Sequence, residues 1–237
     1  LLTLRPQLLP INDSDVVLDL GCGEGRHSLG LQHIHAEKNV SFIGVDISKQ
    51  DLLTAQQRKS DFAQEQQTAR LNFICSNGLS LPFADNSFSH VICSEVLEHI
   101  HDYQGFLEEI NRILKPGGQL CVSVPRAWPE KICWYLQKAY YQVEGGHVRI
   151  FNGQYLRKEI QSHGYAFMKK HGAHALHAPY WWLRCMFWHR GDNYFPVKIY
   201  HRFLLWDLFK KPLLTKILDA LLNPVMGKSL VLYFYKL

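Results

Sequence analysis

At 237 residues, 47% hydrophobic and 20% charged, the chain can bury one full core, so a single α/β catalytic domain with an elaborated end is expected. Its net charge of +5 is modest and dispersed, which disfavours a nucleic-acid surface but tolerates an anionic substrate or an anionic membrane. No uninterrupted apolar stretch reaches the roughly eighteen residues of a membrane span, and the cysteines at 22, 75, 93, 121, 133 and 185, without CxxC pairing, read as small buried hydrophobes rather than a disulfide frame or zinc site.

Leu1 to Pro10 shows neither the cationic start nor the small-residue cleavage site of a signal peptide and carries no targeting assignment; the cysteine usage points to a reducing compartment, so a cytoplasmic location is expected. The apolar run over 16–20 reads as a buried strand that breaks into Gly21-Cys22-Gly23-Glu24-Gly25. Glycine there permits positive φ and removes Cβ atoms that would keep a ligand off the main chain. The helix that follows offers unpaired N–H groups and a positive dipole end. The spacing is GxGxG, and Arg26 stands where a dinucleotide fingerprint wants glycine. A second apolar run, Val40 to Val45, ends in Asp46, whose carboxylate is placed to accept both ribose hydroxyls of a bound nucleoside. Ser48 then caps a helix over Lys49 to Lys59.

Further apolar runs at 71–75, 89–94 and 119–124, with helical patterns between most of them, call for parallel strands joined by crossover helices on both faces. Lys115-Pro116-Gly117-Gly118 stops the helix that precedes the last of these runs. Ligands of such sheets bind at the carboxyl ends of the strands, where Gly21, Asp46, Asn77 and Ser94 fall. Beyond Pro125 the character changes. Residues 126–146 read as helical and aromatic, a helix follows at about 153–163, and strands near 165–170 and 229–235 form an antiparallel closing pair. The 178–228 segment between that pair is far longer than a hairpin needs.

With the glycine turn and Asp46 in place, the chain resembles the class I S-adenosylmethionine-dependent methyltransferases. The stretches Leu81-Pro82-Phe83-Ala84-Asp85-Asn86-Ser87-Phe88, Val91-Ile92-Cys93-Ser94-Glu95-Val96-Leu97-Glu98-His99 and Ile113-Leu114-Lys115-Pro116-Gly117-Gly118-Gln119-Leu120 are similar to the quinone-biosynthesis type, over roughly residues 10–165. The resemblance implies a Rossmann-like α/β fold, a mostly parallel seven-stranded sheet with an antiparallel last strand. It also implies S-adenosylmethionine as cofactor, with S-adenosylhomocysteine as product. Asp19 would orient the methionine end, the backbone of Gly21, Gly23 and Gly25 would approach the amino acid and sulfonium, and Asp46 would hold the ribose. Asn77 stands where the family usually has aspartate against the adenine amino group; its amide oxygen can still accept that bond. Ile47, Gly78 and Ser94 complete the expected cofactor set.

His147, in the segment that commonly lines the acceptor pocket of this family, is the candidate base, with Glu144 as a partner for it or for a divalent metal; no metal ligand is assigned. Glu98 and His99 belong to the family's ordinary pattern. His171, His174 and His177 repeat every three residues, a spacing that alternates faces on a strand, and read as pocket-lining rather than metal-binding. The aromatic insertion is expected to be a helical cap or lid over 178–228, set on a cofactor-binding domain of 1–177 plus 229–237. The expected activity is methyl transfer to a small or lipid-like acceptor, a quinol, phenol or isoprenoid, with peripheral membrane contact through the insertion. A protein or nucleic-acid methyltransferase and a non-catalytic cofactor-binding subunit remain open alternatives, and the sequence assigns no oligomeric state.

Overall fold

Strand positions follow from alternation of apolar side chains that face opposite sides of one sheet. In a computed structural model that describes residues 2–62, 67–143 and 145–237, β1 (Val16–Leu20) leads through α1 (Arg26–Ile34) to β2 (Ser41–Asp46), and α2 (Lys49–Lys59) leads to β3 (Arg70–Cys75). Then come β4 (Phe88–Ser94), α3 (Tyr103–Ile113), β5 (Leu114–Pro125), α4 (Ala127–Leu136), α5 (Ala139–Gln142), α6 (Gly153–Ser162) and β6 (Tyr165–Ala173). Helices α7 (His177–Met186), α8 (Phe195–Lys210) and α9 (Leu213–Met226) precede the last strand, β7 (Ser229–Lys236). The sheet order is β3-β2-β1-β4-β5-β7-β6. Strands β3, β2, β1, β4 and β5 pair in parallel, and β7 runs antiparallel to both β5 and β6.

Leu18, Leu20, Val91, Cys93, Leu120, Val122, Leu232 and Phe234 pack on one face with Phe106, Leu107 and Ile110 of α3 and Leu156 and Ile160 of α6. Their sequence neighbours Val17, Ile92, Cys121, Val231 and Tyr233 pack on the other face with Leu29 and Leu31 of α1 and the N-terminal Leu4, Leu9 and Ile11. The period of two thus buries both faces. The chain turns to opposite sides of β1 to reach β2 and β4, and the crevice between their departing loops is where ligands of such sheets bind.

Three details refine the sequence reading. Helix α3 ends at Ile113, and Lys115–Gly118 is absorbed into β5 as an irregularity, with the β4–β5 register shifting between Phe88 and His90. The helical stretch after Pro125 breaks into α4 and α5 around Gln137 and Lys138. Strand β6 runs on to Ala173, so His171 lies within the sheet. Because β6 ends and β7 begins at the same edge as the carboxyl ends of β1, β2 and β4, helices α7, α8 and α9 emerge on the ligand-binding edge. They are fastened there by the Trp182 indole N–H donating to Pro129 O (3.1 Å) and by Arg126, which donates to the carbonyls of Asn223 and Pro224. No helix among the described residues is long and apolar enough to cross a membrane.

Candidate functional site

The glycine turn is clipped to the neighbouring strand. Gly21 and Gly23 take φ of +74° and +51°, and the Gly21 and Cys22 N–H groups both donate to Val45 O, at 2.7 and 3.0 Å. Asp46 closes the clasp: its Oδ2 accepts from Gly23 N at 2.7 Å and its Oδ1 from Ser48 N at 2.8 Å. Asp19 lies beneath the turn, 4% exposed, with Oδ2 accepting from the backbone and hydroxyl of Ser28 at 2.9 and 2.5 Å. Burial pushes its carboxyl up to about 6, against the two Ser28 bonds that pull it down.

Above the turn opens a cavity of about 490 Å³. Of the expected cofactor residues, Gly21, Gly23, Asp46, Ile47, Asn77 and Gly78 line it together. Gly25 instead caps α1, and Asp19 and Ser94 stand behind the wall. A Cβ built on Gly23 would meet no atom within 4 Å, so the cavity comes up to bare main chain there. An acid at a strand end, an amide at Asn77, apolar surface at Ile47 and Leu79, and this exposed backbone fit a nucleoside-bearing cofactor.

A second cavity of about 320 Å³ is lined by Arg26, Glu95, His147, His174, His177 and Lys228, with Thr3, Trp181 and Ser229. Glu95 lines both cavities. It is held at φ +58°, unusual for a residue with a side chain. Its Oε1 accepts from Ser123 Oγ at 2.9 Å, and the chain of contacts continues to Ser94 Oγ (2.8 Å) and on to His27 Nε2 (3.0 Å). Burial lowers His27 to about 3, so its ring stays neutral. Ser94, expected against the cofactor, therefore belongs to the network that fixes Glu95.

His147 is set by a partner the sequence reading did not name. Its Nδ1 lies 2.6 Å from Glu130 Oε1, which leaves Nε2 as the available ring nitrogen. Glu144 lies outside the described residues. Burial raises the Glu130 carboxyl, but the His147 bond and charge, with Lys228 and the Trp134 N–H, outweigh it and hold the group below its ordinary range. Glu130 is the only acid between residues 126 and 143, the one signal that could have found it. His174 and His177 line the second cavity as expected, both held neutral chiefly by burial, whereas His171 is drawn off to the Tyr233 hydroxyl at 3.0 Å. Glu98, His99 and His147 bring their ligand atoms within 4.8 Å of one another and are the residues that could hold a metal ion among those described. Glu98 is 1% exposed with both oxygens unpartnered, and burial followed by the Glu95 charge pushes its carboxyl well up.

Residues 18–122 match a family model described as a methyltransferase domain. A demethylmenaquinone methyltransferase from Oceanobacillus iheyensis is 33% identical over 131 residues, 55% of this chain and 52% of that protein. An O-methyltransferase from Aspergillus nomiae is 32% identical over 107 residues, 45% of each. The chain thus spans about half the length of the curated relatives it matches. Among solved structures, a SAM-dependent methyltransferase from Methanosarcina mazei superposes with a TM-score of 0.61 at 17% identity, covering 100% of this chain and 99% of that one. The [4+2]-cyclase SpnF does so with 0.62 at 19%, covering 97% and 77%. These likenesses establish the class I methyltransferase fold. The matched segment ends before α4, so Glu130 and His147 lie outside it.

Two outcomes are expected. Asp46→Ala, which removes a charged acceptor from the cavity, weakens S-adenosylhomocysteine binding by about a hundredfold or more in isothermal titration, and an unchanged affinity would show that this strand end holds no ribose. Asp19→Asn keeps an acceptor for Ser28 while removing a buried charge. An acid with a raised folded pKa costs nothing while both states are protonated. Its penalty grows as pH rises from near 4 to above 6 and reaches about 3 kcal/mol for a shift of roughly two units. The stability of the variant relative to the parent, measured by urea unfolding, should rise across that window; a flat difference would refute the burial penalty.

Proposed function

We propose that the chain, whose residues 18–122 match a family model described as a methyltransferase domain, methylates a small, lipid-like acceptor, a quinol, phenol or isoprenoid with an ionisable head, from S-adenosylmethionine. The observation that carries this reading is the shared wall: Glu95 lines the cofactor-side cavity and the second cavity alike, which supports the second as the acceptor's place. S-adenosylmethionine, when bound, supplies a methyl group made electrophilic by its sulfonium. What the chain itself contributes is orientation, exclusion of water and the handling of one proton.

Arg26 and Lys228 bring positive charge to an oxygen in the second cavity, and the neutral rings of His174 and His177 offer hydrogen-bonding nitrogens. His147 takes the acceptor's proton on Nε2, and the Glu130 carboxylate at Nδ1 stabilises the resulting imidazolium. A third cavity of about 240 Å³ between α7 and α8 is lined mainly by Tyr180, Trp181, Leu204, Leu205 and Leu208, and shares His177 and Trp181 with the second. It offers an apolar tail a path away from the reacting head. No residue of 178–228 is among those lining the cofactor-side cavity, which supports a cap confined to the acceptor side. A cytoplasmic protein that touches the membrane surface is the location this chemistry favours.

His147→Ala should lower kcat on an established quinol or phenol acceptor by about a hundredfold or more, with S-adenosylhomocysteine affinity unchanged. Glu130→Gln should share much of that loss, since the amide cannot carry the imidazolium's counter-charge. Steady-state kinetics alongside titration separate the two effects, and wild-type turnover in either variant would remove that residue from the reaction.

A further inference from the structure

Helix α9 is mounted inside out. Asp219 and Asn223 face the protein: Asp219 Oδ1 accepts from Leu176 N (3.2 Å), Asn223 Oδ1 accepts from Ala175 N (2.9 Å), and Asn223 donates to Asp219 Oδ2 (3.2 Å). Its leucines face outward, with Leu213, Leu214, Leu221 and Val225 each 65–73% exposed. A helix that takes part in the core does the reverse, because apolar burial is what fixes its orientation. The end of α8 continues the same surface with Phe209, 77% exposed, and Trp206, 47% exposed. An apolar face of this extent calls for a partner.

Charge identifies which partner. Lys198, Arg202, Lys210, Lys211 and Lys216 are all exposed along α8, the turn and α9. The acids on the same two helices are turned elsewhere, Asp219 to backbone N–H groups and Asp207 to the α7–α8 cavity. At the turn between α8 and α9, Lys210 and Lys211 neighbour Phe209, Leu213 and Leu214 in the chain. A second copy seated on this face by a two-fold axis would bring those lysines against their own copies. The boundary between anionic headgroups and acyl chains satisfies both kinds of side chain at once.

We infer that the α8–α9 segment is a docking surface for an anionic lipid bilayer, which it enters at the turn between the helices through Phe209, Leu213 and Leu214. The segment lies in the interface without spanning it. Leu205 and Leu208 line the cavity between α7 and α8 and are also 39% and 37% exposed. A lipid chain that enters along them would reach the cavity shared with His177 and Trp181, whose lining also includes His201 and Asp207. That last step rests on the lipid-acceptor reading above; the docking itself does not.

Flotation of the full chain with phosphatidylcholine vesicles, with and without phosphatidylglycerol, tests the docking without any acceptor. The chain is expected to float with the phosphatidylglycerol vesicles, to float far less with phosphatidylcholine alone, and to be released by salt. Leu213→Glu combined with Leu214→Glu should reduce partitioning by about tenfold or more, and Lys210→Glu with Lys211→Glu should abolish the preference for anionic lipid. Both pairs are solvent-exposed, so S-adenosylhomocysteine titration should be unchanged and certifies the fold. Flotation of the leucine variant at the parent's level would overturn the inference. So would a parent that stays unbound, or light scattering that shows a dimer which the leucine variant dissolves. Vesicle binding without methylation of any lipid acceptor would sink the acceptor reading and leave the docking standing; methylation of a detergent-dispersed quinol or isoprenoid by a chain that ignores vesicles would sink the docking and leave the acceptor reading standing.

Discussion

Burial of both faces of the parallel sheet constrains everything else in this molecule. Helices α3 and α6 cover one face, and α1 with the N-terminal segment covers the other, so a ligand can approach only at the rim. At the carboxyl rim the strand ends leave backbone groups without sheet partners, and the chain uses them: Val45 O takes the two N–H groups of the glycine turn. The Asp46 carboxylate then ties that turn to the start of α2. The same rim receives α7, α8 and α9, because the antiparallel β7 reverses the chain there. The two cavities that share Glu95 are neighbours because of this topology.

Two carboxylates at this rim show how differently burial acts. Glu130, with the His147 Nδ1 and the Trp134 indole on one oxygen and the Tyr140 hydroxyl on the other, keeps a low pKa despite being 3% exposed. Glu98 is more buried still and has no side-chain hydrogen-bond partner on either oxygen, so burial, followed by the Glu95 charge, outweighs the pull of Lys228 and raises its carboxyl well above the ordinary range. Glu98 and His147 are nonetheless close, linked through His99, whose Nε2 lies 4.0 Å from Glu98 and whose ring centroid lies 4.8 Å from that of His147. Hydrogen bonds hold one acid's affinity for a proton down, and their absence lets burial raise the other's.

The cofactor side was legible in the sequence because its parts are local. A strand, a turn and a terminal acid occupy about thirty residues, and their spacing carries the geometry with it. Asp19 and Ser94 were placed at the right ends of the right strands, but only tertiary packing decides that one turns under the helix and the other toward Ser123. The second cavity draws Arg26, Glu95, His147, His174 and Lys228 from separate stretches of the chain, and no periodicity links them. Glu130 could be noticed as a solitary acid, yet nothing local says that a histidine seventeen residues on will meet it. For α9 the sequence carries two faces but not which of them looks inward; two backbone N–H groups at Ala175 and Leu176 settle it by recruiting Asn223 and Asp219.

The splice point of the three helices has an evolutionary consequence. They are inserted between β6 and β7, two strands paired through eight register positions from Tyr165↔Lys236 to Ala173↔Ser229. A segment bounded by such a zipped pair can lengthen, shrink or change its surface without shifting the register of β1, β2 and β4, on which the glycine turn and Asp46 depend. Divergence in what is recognised is thereby uncoupled from retention of what is bound, and one scaffold can explore new acceptors by exchanging a module rather than by remodelling its core.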